Sequence, residues 1–338
     1  MPRFRAVIAA ALATLLFTAC AGSEPPAAQV GDVEITDQQV ADAADLFRFL
    51  GGVGQQPCAP TVDEGDTEAA ACNRLALTNL IQFSVTNAFA ADNGIEPARD
   101  EVEGAVGQLE QQIGADAFEQ QLAESDTTRE ELQQLARDFS VLRQVATAVT
   151  EDELGAAEIR RRYEQDLATF TTVEVDHVLV ETEAEAQQVY AEVTAPGATR
   201  DDFLAIAKER SIDPSAAQNS GSLGSAAAST YVPEFADAAI ALDEGGISQP
   251  VQTQFGWHVI RLEDEEVAPL ADVRQQIVEQ AAAEVFPAWL RTELEALEVN
   301  PRYGRFDPET LSVQRIASTD PDASPTASDA PVNAPASP

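Results

Sequence analysis

Two histidines are the residues best suited to chemistry in this chain, His177 within VDHVLV and His258 within FGWHVI. Imidazole is the side chain whose ordinary pKa lies nearest neutrality, so it suits proton transfer or a tuned hydrogen-bond network. A histidine on a strand is as readily a hydrogen-bonded core residue, and both readings stand on these residues alone. The other classes of chemistry find little support. With two histidines and three cysteines and no C-x-x-C pairing, a zinc site would consume nearly the whole supply of ligands, which argues against a metalloenzyme. No serine or cysteine sits in a recognisable nucleophile motif with a histidine partner, which argues against a hydrolase.

The elements that must position the histidines can be read from periodicity. Residues 173–180, VEVDHVLV, alternate and are rich in β-branched side chains, so they predict a strand with Val173, Val175, His177 and Leu179 on one face. An acidic helix from Ala184 to Val193, a Pro-Gly turn at 196–197 and a helix from Asp201 to Arg210 follow. A Ser/Ala/Asn/Gly-rich loop then reaches Gly224, Phe235 to Leu242 is a short helix, and Phe255 to Leu262 is a closing strand carrying His258. The result is a compact α+β unit with one histidine near each end.

Around this unit the chain reads as helical. Val30 to Thr36 is a short extended opening, and Thr36 caps a helix starting at Asp37. Leu77, Leu80, Ile81, Val85, Ala88 and Phe89 form one apolar stripe at helical spacing, and Val102, Val106, Leu109 and Ile113 form another. Leu132, Leu135, Phe139, Leu142, Val145 and Val149 form a third, opened by the capping-box pair Thr128 and Glu131. These stripes read as core faces. A further helix runs from Ala156 to Phe170. After Pro269 a last stripe, Ile277, Phe286, Leu290, Leu294 and Leu297, is interrupted by Pro287, which predicts a kink or an end. This helix is too apolar on one face to stand alone and is expected to pack back on the N-terminal helices, making the α+β unit an insertion.

The ends read differently. Residues 3–20, RFRAVIAAALATLLFTAC, have the basic start, short apolar run and small-residue close of an export signal, the run being shorter than the roughly 20 residues a membrane span needs. Phe17-Thr18-Ala19-Cys20 resembles the bacterial lipoprotein box, with Phe17 where leucine is usual; this implies a lipid on Cys20 and a tether over 20–29. Cys58 and Cys72 bracket an acidic turn-rich stretch and, in an exported chain, are expected to form a structural disulfide. Residues 317–338, almost entirely Ala, Ser, Thr, Pro and Asp, cannot bury enough apolar surface to fold, and a disordered tail is expected over 304–338.

The 338 residues include 58 Asp and Glu against 20 Lys and Arg, a formal net charge of −38. Such a polyanion is unsuited to nucleic acid, whose binding depends on cations that neutralise phosphates. The hydrophobic fraction of 44% is ordinary, and the length suggests two domains with flanking segments.

VDHVLV (175–180), ERSIDPS (209–215), SGSLG (220–224), YVPEFADAAIAL (231–242) and ISQPVQTQFGWHVIRL (247–262) resemble, in this order and spacing, the parvulin family of peptidyl-prolyl cis/trans isomerases. The resemblance covers 173–263. It implies an α+β fold, a four-stranded antiparallel sheet with helices, occupying 171–264 within a mainly helical domain over 30–170 and 265–303. By position it implies that His177, His258 and Asp213 form the catalytic set and that Leu223, Tyr231 and Phe235 wall a proline pocket, with Thr253 and Phe255 beside the second histidine. Ser222 departs from a usual aspartate and Ala226 from a common aromatic, while Ser220 and Ser229 stand where glycine is frequent.

VGDVEIT, NLIQFSVTNAFAADNGIEPARDEVEGAV and EIRRRYEQDLATF look like the helical chaperone part of exported foldases of the PrsA and SurA type. The expected function is therefore an extracytoplasmic, membrane-anchored isomerase and foldase acting on unfolded exported chains with X-Pro bonds, with no cofactor, metal or nucleic acid. The alternative is a holdase whose parvulin unit binds such chains without useful catalysis, given the altered loop at 220–229. A purely structural envelope protein is a third reading.

Overall fold

The computed structural model describes residues 25–54, 58 and 66–316. The signal segment, Cys20 and the tail beyond 316 lie outside the described residues. Short strands β1 (Ala28–Val30) and β2 (Val33–Ile35) lead into α1 (Asp37–Gly52), α2 (Glu68–Asn93), α3 (Arg99–Ile113), α4 (Ala115–Glu124) and α5 (Arg129–Gln165). The α+β segment then runs β3 (Thr171–Val180), α6 (Glu183–Val193), α7 (Arg200–Arg210), α8 (Ala216–Asn219), β4 (Ser222–Ala227), α9 (Pro233–Ile240), β5 (Val251–Thr253) and β6 (Gly256–Val267). Helix α10 (Leu270–Glu293), β7 (Glu298–Val299), β8 (Arg305–Asp307) and β9 (Ser312–Gln314) complete the order.

Local chemistry sets many of these boundaries. Thr36, Thr128, Thr182 and Thr199 each accept, through the hydroxyl, the backbone N–H three residues on, and the side-chain oxygen of the Gln, Glu or Asp there accepts the threonine's own backbone N–H. These reciprocal caps satisfy donors a helix start would leave unpaired. Gly155, at φ 65°, breaks α5, between the two helical stretches expected from the sequence.

The chain divides into two compact units, residues 1–85, 99–136 and 294–338 in one and 86–98 and 137–293 in the other. In the first, β1 pairs with both β2 and β7, so a strand from after the α+β segment joins one from the start of the chain. Ala28 sits opposite Ile35 and Val299. The end of the segment expected to be a tether, 25–29, is thus folded: Ala27 and Ala28 are buried. The core of this unit centres on Phe49, Val106, Phe118, Leu122 and Leu132, the first and third meeting edge to face at 5.7 Å. Cys58 and Cys72 are joined by a disulfide, their Cα atoms 4.9 Å apart.

The expectation of disorder from 304 onward does not hold for 304–316. Strands β8 and β9 form a hairpin, Leu311 and Val313 are buried, and the Val313 N–H donates to Thr78 Oγ1 at 2.9 Å. The folding signal is a contact 235 positions away, which no local pattern carries.

In the second unit, Val273, Ile277 and Val278 of α10 pack with Ile159 and Phe170, while Phe286 and Trp289 pack with Ala90, Val141, Val145 and Val149. The helix continues through Pro287 instead of ending there. Proline forgoes the hydrogen bond its N–H would make one turn back, but Ala281 and Leu290 on either side are buried, and that packing outweighs the loss.

The α+β segment holds a four-stranded antiparallel sheet in the order β4-β3-β6-β5. One face carries Val173, Val175, Ile260 and Leu262 against Phe235, Ala236 and Ala239 of α9. The other carries Val178, Val180 and Val259 against α6 and α7 through Ala186, Val189, Phe203 and Ala207. Strand alternation separates the two sets.

Candidate active site

The histidines meet on the α9 face of the two central strands. In the β3/β6 register His177 pairs with Ile260 and Leu179 with His258, so the imidazoles lie diagonally across the ladder within reach of one another. Both are buried, at 3% and 4% exposure. Their Nδ1 atoms are 3.2 Å apart and their rings are stacked with centroids at 5.4 Å. Phe235 stands edge-on to both, at 5.8 Å from His177 and 5.3 Å from His258.

The loop after α7 brings a carboxylate to this pair. Asp213 Oδ2 lies 3.2 Å from His177 Nε2, off the direct hydrogen-bond line. Its other oxygen, Oδ1, accepts from the Ser215 N–H at 2.7 Å and the Ser215 hydroxyl at 2.6 Å. Asn219 Nδ2 donates to Ser215 Oγ, and the Gly221 N–H donates to Asn219 Oδ1. The loop is tied to the strand as well, since the Ile212 N–H donates to Leu179 O and the His177 N–H to Gly221 O, each at 2.8 Å. At the far end Thr253 Oγ1 lies 2.8 Å from His258 Nε2 and accepts the Phe255 N–H at 3.1 Å.

Charge fixes the direction of these contacts. Burial alone would raise the Asp213 pKa, but the Ser215 hydroxyl and N–H together with His177 hold it below the usual carboxylate value, so it is an anion. Burial lowers the His177 pKa, against the pull of Asp213. Burial and then the neighbouring His177 lower that of His258 to about 4. Both imidazoles are therefore neutral at pH 7. A neutral His177 facing a carboxylate carries its proton on Nε2, leaving Nδ1 to accept. His258 must then donate from Nδ1 and accept the Thr253 hydroxyl at Nε2. The proton positions run in one direction from Thr253 through both rings to His177 Nε2, which faces Asp213.

The apolar residues expected to wall a pocket sit beside this network. Tyr231 and Phe235 have ring centroids 4.8 Å apart, and Leu223 and Tyr231 pack, half-buried, on the cluster containing Phe235. Burial raises the Tyr231 pKa, so it is a neutral phenol. Of the residues beside His258, Thr253 touches the ring directly, whereas Phe255 reaches the network only through its backbone N–H, its side chain being 61% exposed.

The sequence motifs name the histidines, Asp213 and Thr253 but not Ser215, Asn219 and Gly221, which hold the loop. Asp213-Pro214-Ser215 carried a signal for part of this, because an Asp followed two residues later by an N–H is an Asx-turn pattern.

Residues 167–264 match the Rotamase family, described as a PPIC-type PPIASE domain, and residues 4–146 match a SurA-like N-terminal domain. The chain is 39% identical over 170 residues to a foldase protein PrsA of Clostridium tetani, covering 48% of this chain and 49% of that protein. It is 34% identical over 183 residues to PrsA of Clostridium botulinum, covering 50% and 53%. The chain thus spans about half the length of the curated relatives it matches. Among solved structures it is similar to the parvulin NmPin of Nitrosopumilus maritimus, at 32% identity, 28% of this chain, 97% of that chain and a TM-score of 0.25. PrsA from Bacillus anthracis matches at 23% identity, 65% of this chain, 96% of that chain and a TM-score of 0.31. A PPIC-type domain following a SurA-like N-terminal domain makes the chain similar in domain order to the parvulin-type foldases of the PrsA and SurA kind.

Proposed function

We propose that this chain is an extracytoplasmic peptidyl-prolyl cis/trans isomerase and foldase that acts on unfolded exported polypeptides. The observation that carries the reading is the row of polar groups Thr253, His258, His177 and Asp213 lying beside the apolar ring cluster of Phe235 and Tyr231. Rotation about a peptide C–N bond faces about 18–20 kcal/mol, because amide resonance must be lost. No bond needs to be cleaved. The site has only to bind the twisted amide better than either planar form.

Leu223, Tyr231 and Phe235 hold the proline ring. Asp213, anionic and partly buried, faces the rotating carbonyl and disfavours its planar polarised form, while the buried histidines fix the carboxylate's surroundings. Phe255 offers an apolar edge to a neighbouring residue of the client. Cys20 carries the lipid that anchors the protein to the membrane, and the helical part over 30–170 holds client segments and presents their prolines.

Two assays separate this reading from that of a holdase without catalysis. Cis/trans exchange measured by NMR on an X-Pro peptide panel reports turnover, and light scattering of an aggregating unfolded client reports holding. Exchange faster with the protein than without it supports an isomerase. Unchanged exchange with suppressed aggregation replaces it with a holdase, and neither effect removes both. Labelling with a fatty-acid analogue, lost in Cys20→Ala, tests the anchor.

A further inference from the structure

Asp176 and Arg200 take no part in the site described above, yet they form an ion pair directly behind it, between a buried carboxylate and a guanidinium 37% exposed. Asp176 is fully buried at 0% exposure, at a position of β3 that alternation places on the face opposite His177. Arg200, the first residue of α7, donates from Nε to Asp176 Oδ2 at 2.7 Å and from Nη2 to Oδ1 at 3.0 Å. Its guanidinium also lies 3.4 Å from Glu174 and 3.5 Å from Glu263, and Glu263 is held in turn by Arg261 at 2.5 Å.

This cluster surrounds two breaks in the sheet register. Against β6, Glu174 faces Asp264 and Val175 faces Leu262, which leaves Glu263 as an extra residue. Against β4, Val175 faces Gly224 and Asp176 faces Ser222, which leaves Leu223 as an extra residue. One bulged residue belongs to the ionic cluster and the other packs beside Phe235. Both bulges fall within two residues of His177. Bulges redirect side chains and mark places where pairing can slip, and a slip of one residue would carry His177 to the wrong face.

We infer that Arg200 is a positioning residue for the isomerase site, clamping the double bulge through Asp176 and Glu263 so that His177 and Leu223 are held toward the proline pocket. The inference rests on the activity proposed above. A guanidinium fork fixes a carboxylate in two directions at once, which an ammonium cannot do. A buried carboxylate without its partner is strongly unfavourable, so the bulge is held only while the fork is in place.

The test uses the full chain with Arg200→Lys, which keeps the charge but loses the fork, and Asp176→Asn/Arg200→Met, which removes both charges. In the folded variants kcat is expected to fall about tenfold with KM within about twofold, as for a misplaced catalytic group. The imidazole ¹⁵N resonances of both histidines are expected to shift as well. Folded variants with wild-type kcat and unmoved imidazole resonances would overturn the inference and leave Arg200 a brace of the fold. If Arg200→Lys does not fold, the double variant decides. If the wild-type protein shows no turnover, the activity reading fails on its own, and the imidazole resonances alone decide whether Arg200 positions the site.

Discussion

Gly221 lies so close to His177 that no side chain fits between them: a Cβ at position 221 would come 2.5 Å from the His177 carbonyl oxygen and 2.6 Å from Ala207 Cβ. The same glycine accepts the His177 N–H at 2.8 Å and has φ 84°. Gly221→Ala must push the loop off β3, and Asp213 sits in that loop. The expected outcome is a fall in thermal midpoint together with loss of prolyl exchange, read by calorimetry and NMR exchange. Unchanged values for both would show that the loop and strand are not rigidly coupled.

Its neighbour predicts the opposite sign. Ser220 adopts φ 56°, a left-handed conformation costing an L-residue about 1–2 kcal/mol relative to the right-handed one. Glycine relieves that strain but gains freedom in the unfolded chain. Ser220→Gly should raise stability by about 0.5–1 kcal/mol and leave turnover unchanged, as measured by urea denaturation and NMR exchange. A lower midpoint would mean that the serine side chain contributes more than its backbone costs.

The pH dependence follows from the two lowered histidine pKa values. In the unfolded chain each histidine takes up a proton near its ordinary value of 6.5, whereas in the folded protein both are held below it, His258 to about 4. Between those values the unfolded state binds more protons, so stability falls as the pH drops. Above about pH 6.5 the histidine contribution is fully present. Turnover should therefore be flat from pH 8 to below 6 and decline as His258 protonates. A turnover midpoint at pH 6.5 would mean that an imidazole titrates as if exposed.

The disulfide between Cys58 and Cys72 closes a loop with a sequence separation of 14. A loop of this size is worth about 3 kcal/mol in chain entropy. Cys58→Ala/Cys72→Ala should lower the unfolding free energy by about that amount, by urea denaturation, with the isomerase domain's turnover intact. Loss of turnover in a folded double variant would mean that the disulfide acts on the catalytic site.

The sequence revealed the isomerase segment more fully than its flanks, for reasons visible in particular residues. Strands β3 and β6 were legible because VEVDHVLV and FGWHVIRL alternate and lie at the centre of the sheet. The edge strands β4, SLGSAA, and β5, VQT, carry too little apolar alternation to announce themselves, and they exist because β3 and β6 offer them partners. The helix starts at Thr36, Thr128 and the break near Gly155 were written in capping chemistry and in glycine. The β1/β7 pairing and the β8/β9 hairpin were not, because their stabilisation comes from residues far away in sequence. At the site, position indicated His177, His258 and Asp213. The direction of the protons between them needed the 3.2 Å Nδ1 separation and the hydrogen bonds of Ser215.

The most direct measurement is prolyl cis/trans exchange on an X-Pro peptide with the wild-type protein beside folded Asp213→Ala. Asp213 lies at the partly exposed end of the site, and its removal leaves both histidines neutral and Phe235 in place. The account predicts catalysed exchange in the wild type and a loss of about 10²-fold in kcat in the variant, with its fold retained by circular dichroism. Equal exchange rates in the two proteins would contradict it, since the carboxylate at the end of the histidine chain would then have no part in turning the prolyl bond.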